Sequence, residues 1–359
     1  MVCYHPIKAF YPLYTDKQGK RYLKFGRNRH ALIAESLDWI WKQEDDLGLF
    51  ADKVIYDKDN PYPVFYNFNG EEVGLNITVP CGKCLGCRLD YSRNWAIRST
   101  NEAFMHSYYN NCSFLTLTFN DDMLNRRENP HSLNKAAMVS WMKRFRKAVK
   151  AHYNTEFRFM LCGEYGTRKK RPHYHLIVYG FNFPDKYVFQ VRKIKNQKVY
   201  YYRSPFLESI WRPAHSTDSF GFSVLGEVNF ESSAYVARYV TKKLFGKYAD
   251  IVYKDKEPEF LKVSRMPGLG YDFFKKYYID IVRRGYINTS KGFKAPIPRY
   301  YIDQLKKFDP QLYDVYKLTQ FENLCDNLAV ENINSSRERL IVREELKKHH
   351  MDRLIRQYE

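Results

Sequence analysis

Arg171-Pro172-His173-Tyr174-His175-Leu176-Ile177-Val178-Tyr179 is the stretch on which the fold turns. The apolar, β-branched run behind the histidines predicts a strand. Residues two apart on a strand point to the same face. His173 and His175 therefore present two imidazoles side by side, and Tyr174 turns to the opposite face as a packing residue. Neutral imidazole is the commonest side-chain metal ligand, so the pair is a metal half-site. Alone, the same motif also describes two surface histidines on an edge strand.

The flanking sequence favours the metal reading. Residues 156–164 read as a strand ending in Cys162-Gly163-Glu164, and a basic turn, Thr167-Arg168-Lys169-Lys170-Arg171, leads back into the histidine strand. In an antiparallel hairpin Glu164 lies close to both imidazoles. Two histidines and one acid leave coordination positions open, and a nitrogen and oxygen set of this kind suits Mn²⁺ or Mg²⁺. Such an ion acts as a Lewis acid on a phosphoryl oxygen.

A second candidate constellation follows on a helix predicted over 232–244. Tyr235, Tyr239 and Lys242 stand at i, i+4 and i+7 and share one face. Val236, Ala237, Val240 and Leu244 lie towards the other side, which is expected to pack on a sheet. A phenol is a weak nucleophile at its free pKa of ~10 and needs a polarised target or a neighbouring cation.

The remaining elements predict an α+β chain. Strands are expected at 113–119 and 222–230, with short strands near 21–25, 63–68 and 75–79. Helices are expected at 88–109, 134–152 and 205–212. In the second of these, Met138, Trp141, Met142, Phe145 and Val149 form an apolar stripe opposite a basic face. Residues 185–204 read as an inserted Tyr- and Lys-rich hairpin. Residues 246–300 read as irregular, and 301–359 as mostly helical. The expected division is 1–110, 111–246, 247–300 and 301–359.

Cys81, Cys84 and Cys87 follow a Cys-x-x-Cys-x-x-Cys spacing with glycines between the thiols. A tetrahedral structural zinc needs four ligands, and Cys3 or His5 supplies the fourth if the N-terminus folds back. With seven cysteines and no secretion signal, a disulfide framework is not expected.

The net charge is +19, and residues 301–359 hold 10 Lys+Arg against 11 Asp+Glu, so the excess lies in the first 300 residues. That points to a polyanionic partner. Aromatic content of 17% suits single-stranded nucleic acid, whose bases stack on rings. No apolar run approaches membrane-spanning length.

Three motifs in order resemble the HUH endonucleases, which start rolling-circle replication: Phe114-Leu-Thr-Leu-Thr118, His173-Tyr174-His175, and Tyr235 with Tyr239 and Lys242. Pro80-Cys-Gly-Lys-Cys84, the run from Tyr235 to Lys243, and Arg265-Met-Pro-Gly268 narrow the likeness to replication initiators of gokushovirus-type microviruses. The resemblance implies an HUH-type core, a central antiparallel sheet of about five strands flanked by helices. A Cys-rich N-terminal region and a helical C-terminal region are expected beside it. It implies an enzyme that nicks one strand of a phage origin in the double-stranded replicative form. One tyrosine becomes linked to the 5′-phosphate and frees a 3′-OH for host polymerase, and the second tyrosine rejoins the displaced single strand as a circle. It further implies Glu164, His173 and His175 as metal ligands and work in the host bacterial cytoplasm beside the host replication machinery. Arg168, Lys169, Lys170, Arg171 and Lys243 are expected to contact DNA phosphates. The rival expectations are a non-catalytic single-strand binder and a metal phosphodiesterase that activates water.

Overall fold

The computed structural model describes residues 3–12, 53–55, 64–66, 72–106, 110–166, 170–194, 197–242, 247–289, 292–327, 330 and 333–352. The chain divides into two compact units, Met1–Cys87 with Ser335–Lys348, and Arg88–Asn334 with His349–Glu359. Among the described residues no helix is long and apolar enough to cross a membrane.

In the first unit β1 (Ile7–Pro12), β2 (Lys53–Ile55), β3 (Val64–Tyr66) and β4 (Glu72–Val79) form an antiparallel sheet in the order β1-β4-β3-β2. The last two are the strands expected near 63–68 and 75–79. The one expected at 21–25 lies outside the described residues.

The second unit is built on a seven-stranded antiparallel sheet. Helix α1 (Leu85–Met105) leads to β5 (Cys112–Phe119), a short α2 (Asp121–Asn125) and α3 (Lys135–Tyr153). The hairpin β6 (Arg158–Tyr165) and β7 (Pro172–Tyr179) follows, then the inserted hairpin β8 (Tyr187–Ile194) and β9 (Gln197–Arg203). After α4 (Pro205–Ile210) come β10 (Gly221–Gly226), α5 (Phe230–Lys242), α6 (Lys247–Val252) and β11 (Phe260–Val263). The sheet order is β11-β6-β7-β5-β10-β9-β8. Five strands thus make the expected core, and the β8–β9 hairpin extends it at one edge.

The expectation that 246–300 is irregular is corrected. This segment supplies α6, the edge strand β11, and the fourteen-residue helix α7 (Tyr271–Arg284). Gly270 and Gly285 bracket α7 in the left-handed region, at φ 78° and 72°. A short pair β12 (Ile287–Asn288) and β13 (Lys294–Ala295) follows, then α8 (Arg299–Phe308), α9 (Pro310–Asp326) and α10 (Arg337–Asp352). Beside α1, Phe274 of α7 stacks on Tyr301 of α8 at 4.6 Å in a core that also takes in Ile97.

Sheet alternation creates two apolar layers. Leu115, Leu117, Leu161, Tyr174, Leu176 and Val178 face α3, whose Met138, Trp141, Met142, Phe145 and Val149 are all buried, as the periodicity predicts. Phe114, Met160, Cys162, Ile177 and Tyr179 point the other way, against Ala96 and Ala103 of α1 and Val236 and Ala237 of α5. The histidines lie on this second side. The basic face of α3 therefore belongs to the layer across the sheet from them.

Helix α3 starts where Asn134 caps it, its side chain accepting from the Ala137 amide at 2.8 Å. It ends at Asn154, a residue type that tolerates the left-handed φ of 49° found there. A buried ion pair ties α1 to β6, with Arg158 Nη1 3.2 Å from Glu102 Oε1. Glu102 Oε2 also accepts from the Gly270 amide at 2.7 Å.

Candidate active site

Strand register assembles the site. Glu164 on β6 stands opposite His173 on β7, and Thr116 on β5 stands opposite His175. Glu164 Oε1 lies 2.5 Å from His173 Nε2 and 2.9 Å from His175 Nε2. One ligand atom from each of the three residues falls within a 4.8 Å cluster. The opposite faces of β6 and β7 explain why a glycine precedes the acid. A Cβ on Gly163 would stand 2.7 Å from the Phe260 ring and 3.1 Å from Leu133. Gly163 lets β11 close over the far side of the sheet while Glu164 points to the near side.

The second nitrogen of each ring is also engaged. His173 Nδ1 lies 3.1 Å from the Arg171 carbonyl, and His175 Nδ1 lies 3.1 Å from Thr116 Oγ1. A carbonyl only accepts, so the proton of a neutral His173 sits on Nδ1. Its Nε2 lone pair then faces a carboxylate oxygen at 2.5 Å. Two electron-rich atoms at that distance repel unless a cation or a further proton stands between them. Outer partners on Nδ1 that aim Nε2 inwards are the usual support of metal-ligating histidines.

Glu164 is 2% exposed and His175 is buried, whereas His173 keeps 17% of its side chain open. Burial pushes the Glu164 pKa up, but hydrogen bonds from His173 and His175, with their charge, outweigh it and hold the carboxyl at about 2. The acid is thus an anion throughout the ordinary pH range, as a ligand to a hard cation must be. The donor set fits Mn²⁺ or Mg²⁺, with His173 marking the open side.

The tyrosine helix reaches this site from the same side of the sheet. Tyr235 is buried, its ring 5.1 Å from that of His175 and nearly perpendicular to it. Phe114 stacks on His175 at 5.6 Å and meets Tyr235 edge-on at 6.3 Å. Tyr235 thus packs into the sheet together with Val236 and Ala237, which form the expected apolar side. Tyr239 and Lys242 belong to the same helix, but their side chains lie outside the described residues. Thr116 and Phe114 are site residues that sequence reasoning misses, although strand alternation places both on the histidine side.

Of the predicted phosphate contacts, Arg168, Lys169 and Lys243 lie outside the described residues. Lys170 is exposed at the hairpin turn, with its amide donating to the Gly166 carbonyl at 3.1 Å. Arg171 forms an ion pair with Asp121.

Fold and site together define a class: a helix-flanked antiparallel sheet with an HUH-type core, carrying a His-x-His pair, a facing acid and a tyrosine helix. Comparison with known proteins makes this specific. Residues 112–244 match a family model of replication-associated proteins of the ORF2 type. The chain is 32% identical over 252 residues to replication-associated protein VP4 of Bdellovibrio phage phiMH2K, covering 67% of this chain and 71% of that protein. It is 31% identical over 246 residues to replication-associated protein ORF2 of Spiroplasma virus 4, covering 67% and 72%. It is also 30% identical over 260 residues to replication-associated protein ORF4 of Chlamydia phage 1, covering 68% and 59%. No solved structure matches the chain. The chain belongs to the family of microvirus replication-associated proteins.

Proposed function

We propose that the protein is a metal-dependent DNA-nicking and strand-joining enzyme that initiates rolling-circle replication of a small single-stranded-DNA phage. The observation that carries this reading is Glu164 Oε1 set between two imidazole Nε2 atoms, with the Tyr235 ring against one of them. A bound Mn²⁺ or Mg²⁺ would supply Lewis-acid polarisation of the scissile phosphate. Glu164, His173 and His175 hold that ion, and Thr116 and the Arg171 carbonyl orient the two rings.

Tyr235 or Tyr239 attacks phosphorus with its phenolic oxygen, and Lys242 on the same helical face favours the phenolate. A Tyr–O–P bond forms as the P–O3′ bond breaks. The phenol gives up one proton and the departing 3′-oxygen takes one up, so the step is balanced without hydrolysis. The second tyrosine of the pair accepts the strand in the reverse sense and joins it. Lys170, with Arg168, Lys169, Arg171 and Lys243, positions the DNA backbone. The partners are the phage origin, in the replicative form and as a single strand, and the host replication machinery in the host bacterial cytoplasm.

An end-labelled origin oligonucleotide incubated with Mn²⁺ separates this from its rivals. The nicking enzyme yields a denaturant-resistant protein–DNA adduct and needs the metal. A water-activating phosphodiesterase yields free fragments alone. A non-catalytic binder yields neither, and either of those outcomes would overturn the proposal.

A further inference from the structure

We propose that Cys3, Cys81, Cys84 and Cys87 bind a structural zinc ion in the N-terminal unit, distinct in ligands and in chemistry from the His-His-Glu centre. These four thiols come from two segments far apart in sequence, yet their Sγ atoms all lie within 4.8 Å of one another. Cys84 Sγ and Cys3 Sγ are 3.8 Å apart. A tetrahedron with Zn–S bonds of about 2.3 Å has S···S edges of about 3.8 Å. A disulfide would need about 2.05 Å, and all four cysteines are free.

The surrounding backbone is arranged for thiolates. Tyr4 N–H points at Cys84 Sγ at 3.3 Å and Cys81 N–H at Cys3 Sγ at 3.2 Å. Cys81 Sγ accepts from the amides of Lys83 and Cys84 at 3.4 and 3.3 Å, and Cys84 Sγ from that of Cys87 at 3.5 Å. Outer-shell donors of this kind spread the negative charge that thiolates bring to a metal. A pure sulfur set selects zinc over Mg²⁺ or Mn²⁺. The mutual closeness of the thiols fits one shared ion. In an iron–sulfur cluster the thiolates are spread over several irons.

The alternative fourth ligand, His5, is exposed and pairs with Glu344 at 2.9 Å instead. Among the described residues, the buried apolar cluster at this point consists of Tyr4, Cys84 and Leu340. So small a core gives little folding energy, and a zinc ion would supply what is missing. It would fasten the segment entering β1 to the turn that begins α1, with Leu340 of α10 packed on the same cluster.

The test uses the purified full chain. The expected result is about one zinc per chain that survives dialysis against excess Mg²⁺, with about four thiols released per zinc by an organomercurial. Exchange for Co²⁺ should give sulfur-to-cobalt charge-transfer bands, which a nitrogen and oxygen centre cannot produce. Cys84→Ser and Cys3→Ser should lose the zinc, while Cys325→Ser and the double variant His173→Ala/His175→Ala should keep it. Zinc absent from the wild type, zinc lost with the histidines but kept in Cys84→Ser, or an iron–sulfur chromophore would each overturn the assignment. If the serine variants do not fold, the mercurial and cobalt readings on the wild type decide alone.

Discussion

Glu164 does the most with the least freedom. It is buried, anionic and shared between two imidazoles whose other nitrogens are already occupied. Replacing it by glutamine keeps the shape and removes the charge, so Glu164→Gln should abolish metal-dependent cleavage while DNA binding persists in a mobility-shift assay. Thr116 acts through His175. Thr116→Val, nearly isosteric, should weaken metal affinity by about 10- to 100-fold in a calorimetric titration, with DNA binding unchanged. Tyr174 carries the prediction on pH. Burial pushes its phenol from the ordinary 10.0 up to about 12. The folded state therefore prefers the neutral phenol, and its contribution to stability is complete below pH 10 and is lost as the pH rises towards 12. In Tyr174→Phe that alkaline loss should shrink, while stability at neutral pH falls by about 1–3 kcal/mol because the Asn134 amide loses its acceptor. The histidines, Glu164 and Tyr174 are legible because strand alternation and a hairpin need only local sequence. Thr116 is not, since its role depends on the register between β5 and β7.

At the scale of elements, local signals and tertiary ones part company. Helix α3 is readable from its stripe alone. Phe145 is fully buried within it, so Phe145→Ala should cost about 3–5 kcal/mol in denaturant unfolding. Asn134→Ala should cost about 1 kcal/mol through its cap. Helix α7 escapes a local reading although Phe274, Ile281 and Val282 are buried along it. Its apolar positions are mostly aromatic and sit among lysines, glycines and prolines that suggest a loop, while Gly270 and Gly285 in fact mark its two ends. Strand β11 is only four residues long and is fixed by pairing with β6, which no local pattern announces. The Arg158–Glu102 pair links segments far apart in sequence and is likewise invisible there. Arg158→Ala leaves Glu102 buried without its guanidinium and should destabilise the protein by about 3–5 kcal/mol.

For the whole molecule, the governing quantity is the charge of +19. Binding to single-stranded DNA should weaken steeply with salt, with a slope of about −0.7 per phosphate contacted. Lys170, exposed at the hairpin turn, and Arg171, already balanced by Asp121, should differ in this respect. Lys170→Ala is expected to lower the slope by about one contact, and Arg171→Ala by less. The central claim is that the His-His-Glu centre directs a tyrosine of α5 to phosphorus. Peptide mapping by mass spectrometry of the adduct formed with Mn²⁺ on an origin oligonucleotide tests it most directly. The predicted result is a 5′-phosphotyrosine on the peptide containing Tyr235 and Tyr239, absent in Glu164→Gln and in the double variant Tyr235→Phe/Tyr239→Phe. An adduct on any other residue, or one that survives the double tyrosine replacement, would contradict it.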